Sequence, residues 1–192
     1  AGFAPIVLSA KLTSYERDSM LEDVTPAVVI DDATCRRLTS SEVDVGELPA
    51  LDDHFRCRPM HFTSGTSGRP KAVWSGWLDD VASAGLQQEE LTCWEFSADD
   101  EHWVCSPLSH SAPLRFALFT LLAGGAVHVP VGFDPHEVRA ALEGGVTSTF
   151  MAPAQLQRVL DGGPLVAQRI RLLAHAGAPC PEPLKRAAID AL

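Results

Sequence analysis

The chain has 192 residues, of which 46% are hydrophobic and 21% charged, and its formal net charge is −10 at pH 7. This length and composition favour a globular protein with a sizeable core over a disordered one. Because the sequence has no basic stripe, we do not expect it to bind nucleic acid. The five cysteines include no C-x-x-C pair, which predicts reduced thiols and a cytoplasmic location. The apolar run at 116–131 is interrupted by two glycines and is too short to span a bilayer.

Apolar runs and helix signals predict the first elements of the chain. Residues 5–8 and 27–30 have the composition of strands and enclose a polar helix at 14–23, a β-α-β pattern that favours a parallel pair. Residues 39–58 are acidic and contain glycine and proline, so we predict a surface connection there. We assign residues 1–192 to a single partial domain.

Strands and helices alternate over the rest of the chain. The spacing of Trp77, Leu78, Val81, Ala82 and Leu86 predicts one buried face on the first of these helices. The helix at 114–123 is almost entirely apolar, which predicts burial on most sides. Strands are predicted at 59–62, 72–74, 102–105, 126–129, 147–151 and 170–174, and helices at 76–91, 114–123, 135–144, 153–160 and 182–192. Such alternation indicates an α/β layered fold with a largely parallel sheet flanked by helices.

A segment rich in glycine and hydroxyl groups, FTSGTSGRPKAV, occupies residues 62–73. Its two glycines let the backbone approach a ligand closely, and its successive N–H groups can form a nest for an anion. The hydroxyls add donors, and Arg69 and Lys71 add positive charge where phosphate oxygens would lie. Pro70 breaks the Walker pattern, which disfavours a P-loop NTPase. The segment therefore predicts a polyphosphate-binding loop, and the general alternative is a surface turn between two strands.

Two further segments carry candidate site residues. Pro107–Pro113 places His110 where a strand end meets a helix, a usual position for ligands in open α/β sheets. A lone histidine is in general more often a packing or capping residue. In His175–Pro181, small residues after a strand allow a flat ligand to lie against the backbone, although a plain strand-to-helix turn is the general alternative. His102 and Cys105 have a possible metal spacing but no second pair, so we predict no metal site.

The string T-S-G-T-S-G-R-P-K resembles the phosphate loop of the adenylate-forming superfamily, which contains acyl-CoA synthetases, nonribosomal-peptide adenylation domains and luciferases. The sequence departs from that family at Ser67 and Ala72, where threonine and glycine are usual, and neither change removes a phosphate donor. The sequence L-S-H-S-A-P around His110 and the segment that contains Pro179 are most similar to the corresponding segments of ligases that act on fatty or related hydrophobic acids.

The resemblance implies a segment of the N-terminal domain of an ATP-dependent acyl-CoA ligase of fatty acid metabolism. Such an enzyme adenylates a carboxylic acid, releasing pyrophosphate, and then transfers the acyl group to coenzyme A (CoA). By resemblance, the ATP phosphates would contact Thr63, Ser64, Gly65, Thr66, Ser67, Gly68 and Lys71. The adenine would contact Ala176, Gly177, Ala178 and Pro179. His110 would line the pocket for the acid.

The resemblance also implies what residues 1–192 lack. The Mg²⁺ ligand, the hinge and the catalytic lysine of the C-terminal domain have no counterpart here, so we assign no catalytic residue and expect no adenylating activity from the chain alone. A truncated sheet should expose an edge and apolar surface, which favours self-association. Two alternatives remain open: an amino-acid- or aryl-acid-activating domain, and a non-catalytic module that retains the fold.

Overall fold

The computed structural model describes residues 3–40, 54–63, 70–167 and 169–192, except the side chains of residues 38 and 39. The chain divides into two compact units, Ala1–Trp77 and Leu78–Leu192. The described residues form seven helices and six strands. No helix in these ranges has the length and apolar character needed to cross a membrane.

The first unit begins with helix α1 (Ser14–Val24), close to the helix predicted at 14–23. Its start is a capping box, because Thr13 Oγ1 accepts from the Glu16 N–H at 3.2 Å and Glu16 Oε2 accepts from the Thr13 N–H at 2.8 Å. Met20 provides the buried contact of this otherwise polar helix. Polar capping therefore defines where α1 begins, and one apolar side chain anchors it.

The strand predicted at 27–30 is wrong. The run forms no strand and pairs with no other strand among the described residues, and Val28, Val29 and Ile30 are exposed. Helix α2 (Asp32–Ser40) follows directly. Asp31 Oδ1 accepts from the Thr34 N–H at 2.7 Å, so this aspartate caps a helix instead of ending a strand.

Strands β1 (His61–Thr63) and β2 (Lys71–Val73) form an antiparallel pair, close to the strands predicted at 59–62 and 72–74. The strand predicted at 5–8 is reduced to one parallel bridge between Ile6 and Met60. Of the acidic connection predicted at 39–58, residues 41–53 lie outside the described ranges. No β-α-β unit is therefore present among the described residues of the first unit.

The second unit contains a four-stranded parallel sheet. Its strands are β3 (Glu101–Val104), β4 (Ala126–His128), β5 (Ser148–Met151) and β6 (Leu172–His175), in the order β4-β3-β5-β6. Its helices are α3 (Asp80–Trp94), α4 (Ser111–Leu122), α5 (Pro135–Gly144), α6 (Pro153–Leu160) and α7 (Glu182–Ala191). The predicted α/β fold with a largely parallel sheet flanked by helices is confirmed.

The two faces of the sheet have different cores. One core includes Met151 of β5 and buried residues of α5, α6 and α7, with Trp103 of β3 packed against it. On the opposite face, Phe116 of α4 contacts the rings of His102 and Phe150 at centroid distances of 6.1 and 5.4 Å. Alternate residues of β3 and β5 thus serve opposite cores, as expected for strands covered on both sides.

The burial predicted for α3 is wrong, because Val81, on the predicted face, is 83% exposed. The buried residues of α3 are instead Ser83 and Glu90, and Glu90 forms an ion pair with Arg115 of α4 at 2.6 Å. Helix α4 is buried through six of its twelve residues, in line with the predicted burial on most sides. Its remaining face exposes three leucines (Leu118, Leu121 and Leu122).

A polar network joins the amino ends of three strands. Asp100, only 1% exposed, accepts from Arg171 Nε and from Thr147 Oγ1, both at 2.8 Å, and its other oxygen pairs with Arg171 Nη2. Burial by itself raises the pKa of Asp100, but the hydrogen bonds from Arg171, the Ser97 N–H and Thr147 outweigh burial and hold that pKa below its usual range. The network ties together the starts of β3, β5 and β6.

Candidate functional site

The predicted phosphate loop is framed by the β1–β2 pair. Thr63, the last residue of β1, lies directly opposite Lys71, the first residue of β2, and Thr63 Oγ1 donates to the Lys71 carbonyl at 3.5 Å. Both residues are exposed. The ends of the glycine-rich segment are therefore held side by side, with a hydroxyl and a cation at its base. Ser64, Gly65, Thr66, Ser67 and Gly68 lie outside the described residues.

In the second unit, the strand order creates a crevice at the carboxyl edge of the sheet. The chain leaves β3 towards β4 on one side, whereas it leaves β5 towards β6 on the other side. Connections that diverge from neighbouring parallel strands leave a crevice between them, the usual ligand position in open α/β sheets. The β3–α4 connection, residues 105–110, lies at this crevice.

His110 ends that connection at the N-cap position of α4, and its side chain is exposed. Its carbonyl accepts from the Leu114 N–H at 3.3 Å, but its imidazole makes no capping hydrogen bond. The structure thus gives the ring neither a packing nor a capping function. The unpaired N–H groups at the start of a twelve-residue helix provide a partial positive charge beside it, which favours an anion.

The turn predicted to contact adenine follows β6 at the same edge. Residues Ala176–Pro179 are all exposed, and Gly177 has φ +88°, a conformation that favours glycine. No heavy atom lies within 4 Å of a Cβ built on Gly177, so backbone conformation and not crowding requires the glycine. His110 and this turn therefore follow the carboxyl ends of strands in one sheet, separated by β5.

Sequence reasoning missed Gln155, the third residue of α6. Its Oε1 accepts from Ser106 Oγ and from the Ala152 N–H, both at 2.8 Å, and its Nε2 donates to the Cys105 carbonyl at 2.7 Å. One amide group thus connects the ends of β3 and β5. The only signal in the sequence was the spacing Ala152-x-x-Gln155, which resembles a capping box but lacks a hydroxyl at its first position.

Cys105 lies at the start of the same connection, yet its thiol is buried and 3.3 Å from Thr149 Oγ1. Burial raises the pKa of Cys105 to about 11, so its sulfur stays protonated and unreactive at neutral pH. A groove of about 830 Å³ near Trp103, Phe133 and Glu137 is lined by neither His110 nor the 176–179 turn. His110 and the 176–179 turn are exposed and lie outside that groove.

A magnesium ion is expected to accompany ATP in this superfamily. Within the ranges that the structure describes, no three or more His, Cys, Asp or Glu side chains are grouped so that they could hold a metal ion. We therefore assign no metal ligand among the described residues.

Comparison with known proteins identifies the family. A feruloyl-CoA synthase from Amycolatopsis sp is 30% identical over 212 residues, which cover 99% of this chain and 42% of that protein. The medium/long-chain-fatty-acid–CoA ligase FadD8 of Mycobacterium tuberculosis is 36% identical over 103 residues, which cover 53% of this chain and 17% of FadD8. The chain thus spans less than half the length of these relatives.

The fold is similar to that of a solved structure. The structure of ATP-bound MatB from Rhodopseudomonas palustris superposes with a TM-score of 0.75 over 98% of this chain and 42% of MatB, at 21% sequence identity. The family profile described as AMP-binding enzyme matches residues 1–192, and the chain therefore belongs to that family.

Proposed function

We propose that this chain is the ATP-binding and acid-binding part of an acyl-CoA ligase that activates a hydrophobic carboxylic acid. The observation that carries the proposal is the match of the AMP-binding enzyme family to residues 1–192. In the proposed reaction, the carboxylate attacks the α-phosphate of ATP, pyrophosphate leaves and an acyl-adenylate remains. The thiol of CoA then attacks the acyl carbonyl, and AMP leaves.

Each candidate segment would contribute binding and orientation. Lys71 and the loop at 63–68 would neutralise and hold the charge on the leaving pyrophosphate, which positioned donors and cations do well. The 176–179 turn would lie against the adenine. His110 and the amino terminus of α4 would hold the acid carboxylate at the attacking position. Cys105 is buried and protonated, so it would not act as the acceptor thiol, which we assign to CoA.

An aromatic acid is the second candidate substrate. The feruloyl-CoA synthase is similar over 99% of this chain, whereas FadD8 is more identical but only over 53%. The sequence L-S-H-S-A-P around His110 favours an aliphatic acid as the substrate. An amino-acid-activating domain and a non-catalytic module are the competing functions that the experiment below must distinguish.

All five cysteines lie in the described ranges and none forms a disulfide, which supports a reducing compartment such as the cytoplasm.

The test is ATP–pyrophosphate exchange by the longest product of this reading frame, with fatty, aryl and amino acids as substrates. We expect exchange with a fatty acid and a loss of about 100-fold in Lys71→Ala and His110→Ala, the scale for removing one positioned donor. Lys185→Ala and His136→Ala change exposed side chains on α7 and α5 and serve as matched controls. A folded product that exchanges with no acid would refute the ligase proposal and favour a non-catalytic module.

Residues 1–192 alone should give no exchange, because the superfamily places its magnesium ligand and catalytic lysine elsewhere. They should also self-associate, because a truncated sheet exposes an edge and apolar surface. Acyl-AMP formation by this chain alone would contradict the first expectation. A sharp monomer peak in sedimentation at high protein concentration would contradict the second.

A further inference from the structure

We infer that Gln155 is a positioning residue that fixes the His110 segment at the crevice between β3 and β5, and thereby controls acid binding. This inference rests on the proposed function of His110. Gln155 does not touch the candidate substrate site. It acts through Ser106 and Cys105, the first two residues of the connection that leads to His110.

The geometry shows how this control would operate. The Cys105 carbonyl follows the last residue of β3, where the strand ladder has ended, and Gln155 Nε2 is the donor that satisfies it at 2.7 Å. Gln155 Oε1 at the same time accepts from the Ser106 hydroxyl and the Ala152 N–H, both at 2.8 Å. Both acceptor sites of the amide oxygen are thus in use, and the amide plane has one orientation that satisfies all three partners.

The short segment beyond Ser106 has little freedom once its start is fixed. The His110 N–H donates to the Pro107 carbonyl at 3.0 Å, which closes a turn, and the His110 carbonyl accepts from Leu114 in the first turn of α4. The imidazole itself makes no capping hydrogen bond. Its position therefore depends on the backbone, which α4 holds at one end and Gln155 holds at the other.

Gln157 provides a matched control on the same helix. Its Nε2 donates to Asp161 Oδ1 at 2.7 Å on the exposed face of α6, and it makes no contact with the β3–α4 connection. Gln155→Met and Gln157→Met are thus the same substitution two positions apart. Ser106→Ala is a milder variant that removes one of the three hydrogen bonds and leaves the amide of Gln155 in place.

The first readout needs no enzymatic activity. In the longest product of this reading frame, amide hydrogen exchange by NMR should show the His110 N–H exchanging at least tenfold faster in Gln155→Met, less so in Ser106→Ala, and at the wild-type rate in Gln157→Met. The Thr147 N–H, which donates to the Glu101 carbonyl at the amino end of the sheet, is the internal reference for global stability. Equal protection of His110 in Gln155→Met and Gln157→Met would overturn the inference.

The second readout is pyrophosphate exchange by the longest product of the reading frame. Gln155→Met should raise the KM for the acid about tenfold, leave the KM for ATP unchanged, and have no further effect in a His110→Ala background, as expected for residues that act through one another. If His110→Ala lowers exchange but Gln155→Met behaves like Gln157→Met, the inference fails and the proposed function stands. If His110→Ala has no effect, the proposed role of His110 fails, and the link from Gln155 to acid binding is overturned with it.

Discussion

The buried histidine of β3 makes the stability of the second unit dependent on pH. His102 is fully buried, its Nδ1 lies 2.9 Å from Ser148 Oγ, and its Nε2 has no hydrogen-bond partner. Burial lowers the pKa of His102 from 6.5 to about 4, although the Asp100 carboxylate opposes that change. The folded protein therefore keeps this ring neutral under conditions in which the unfolded chain binds a proton.

The sign and the size of the effect follow from these two pKa values. Above pH 6.5 the ring is neutral in both states, so His102 adds no pH dependence. Between pH 6.5 and about 4 the unfolded state alone gains the proton, so the free energy of unfolding decreases as the pH is lowered. The full difference corresponds to about 3 kcal/mol, of which about 2 kcal/mol should be lost between pH 7 and pH 5.

The assay is urea unfolding followed by tryptophan fluorescence at pH 7 and pH 5. His102→Gln retains a group that can hydrogen-bond Ser148 but does not titrate, so we expect this variant to lose about 2 kcal/mol less than the wild type over that interval. His136→Gln makes the same change at an exposed position of α5 and should keep the wild-type pH dependence. Equal losses in the wild type and His102→Gln would refute the reasoning.

Two further predictions concern the amino end of the sheet. A Cβ on Gly125 would lie 2.7 Å from the Asp100 carbonyl oxygen and 3.0 Å from the Ser97 carbonyl oxygen, so Gly125→Ala should destabilise the protein by about 2 kcal/mol. Gly144→Ala, where a Cβ meets nothing within 4 Å, should not destabilise it, and similar denaturation midpoints for the two variants would contradict this. Arg171→Met leaves a buried carboxylate unpaired and should cost about 3 kcal/mol, whereas Arg186→Met breaks an exposed pair on α7 and should cost less than about 1 kcal/mol. Thermal unfolding measures the stability loss of both arginine variants, and equal losses would show that the Asp100–Arg171 pair contributes no more stability than a surface pair.

The sequence predicted the second unit far better than the first. Each strand of the parallel sheet is a short segment followed by a connection and a helix, and some of these helices have a clear start signal in the sequence. Asp134, for example, accepts from the His136 N–H at 2.8 Å at the start of α5, as a cap should. When periodicity, caps and turns agree in this way, local sequence is sufficient to place the elements.

In the first unit these signals conflicted. The run Ala27–Ile30 has the composition of a strand, but a strand needs a partner, and composition does not reveal whether one exists. Asp31 could equally end a strand or cap a helix, and its bond to the Thr34 N–H decides for the helix. One helix of the second unit, α3, shows a similar failure: Val81 fits an apolar stripe but is exposed, whereas Glu90 is buried and pairs with Arg115 of another helix. Such a pairing across 25 positions leaves no local signal.

The residues of the candidate site differ in the same way, because some are predictable from a local segment and others depend on distant contacts. Glycines and hydroxyls next to a lysine indicate phosphate chemistry from sequence alone, since their function depends on backbone N–H groups and charge within one short segment. Gln155 depends on the Cys105 carbonyl and the Ser106 hydroxyl, which lie 50 and 49 positions away and come close only when β3 and β5 pair. Sequence reasoning from local segments therefore singles out His110 as a candidate but not Gln155, whose contacts are distant in the sequence.

We expect the amino end of the parallel sheet to contribute stability and the carboxyl end to contribute the candidate site, so that substitutions at one end leave the property of the other end unchanged. At the amino end, the Asp100–Arg171 pair is buried among strand starts and contacts no candidate site residue, so its loss should lower stability and leave acid binding intact. At the carboxyl end, His110 and the turn at 176–179 are exposed and contribute little to the core. Gln155 is half-buried, intermediate between the buried Asp100 and the exposed His110. In the proposed role, it connects α6 to the exposed loop through its hydrogen bonds with Ser106 and Cys105. A parallel sheet suits this division, because all its strands end at one edge and their loops can vary while the opposite edge stays fixed.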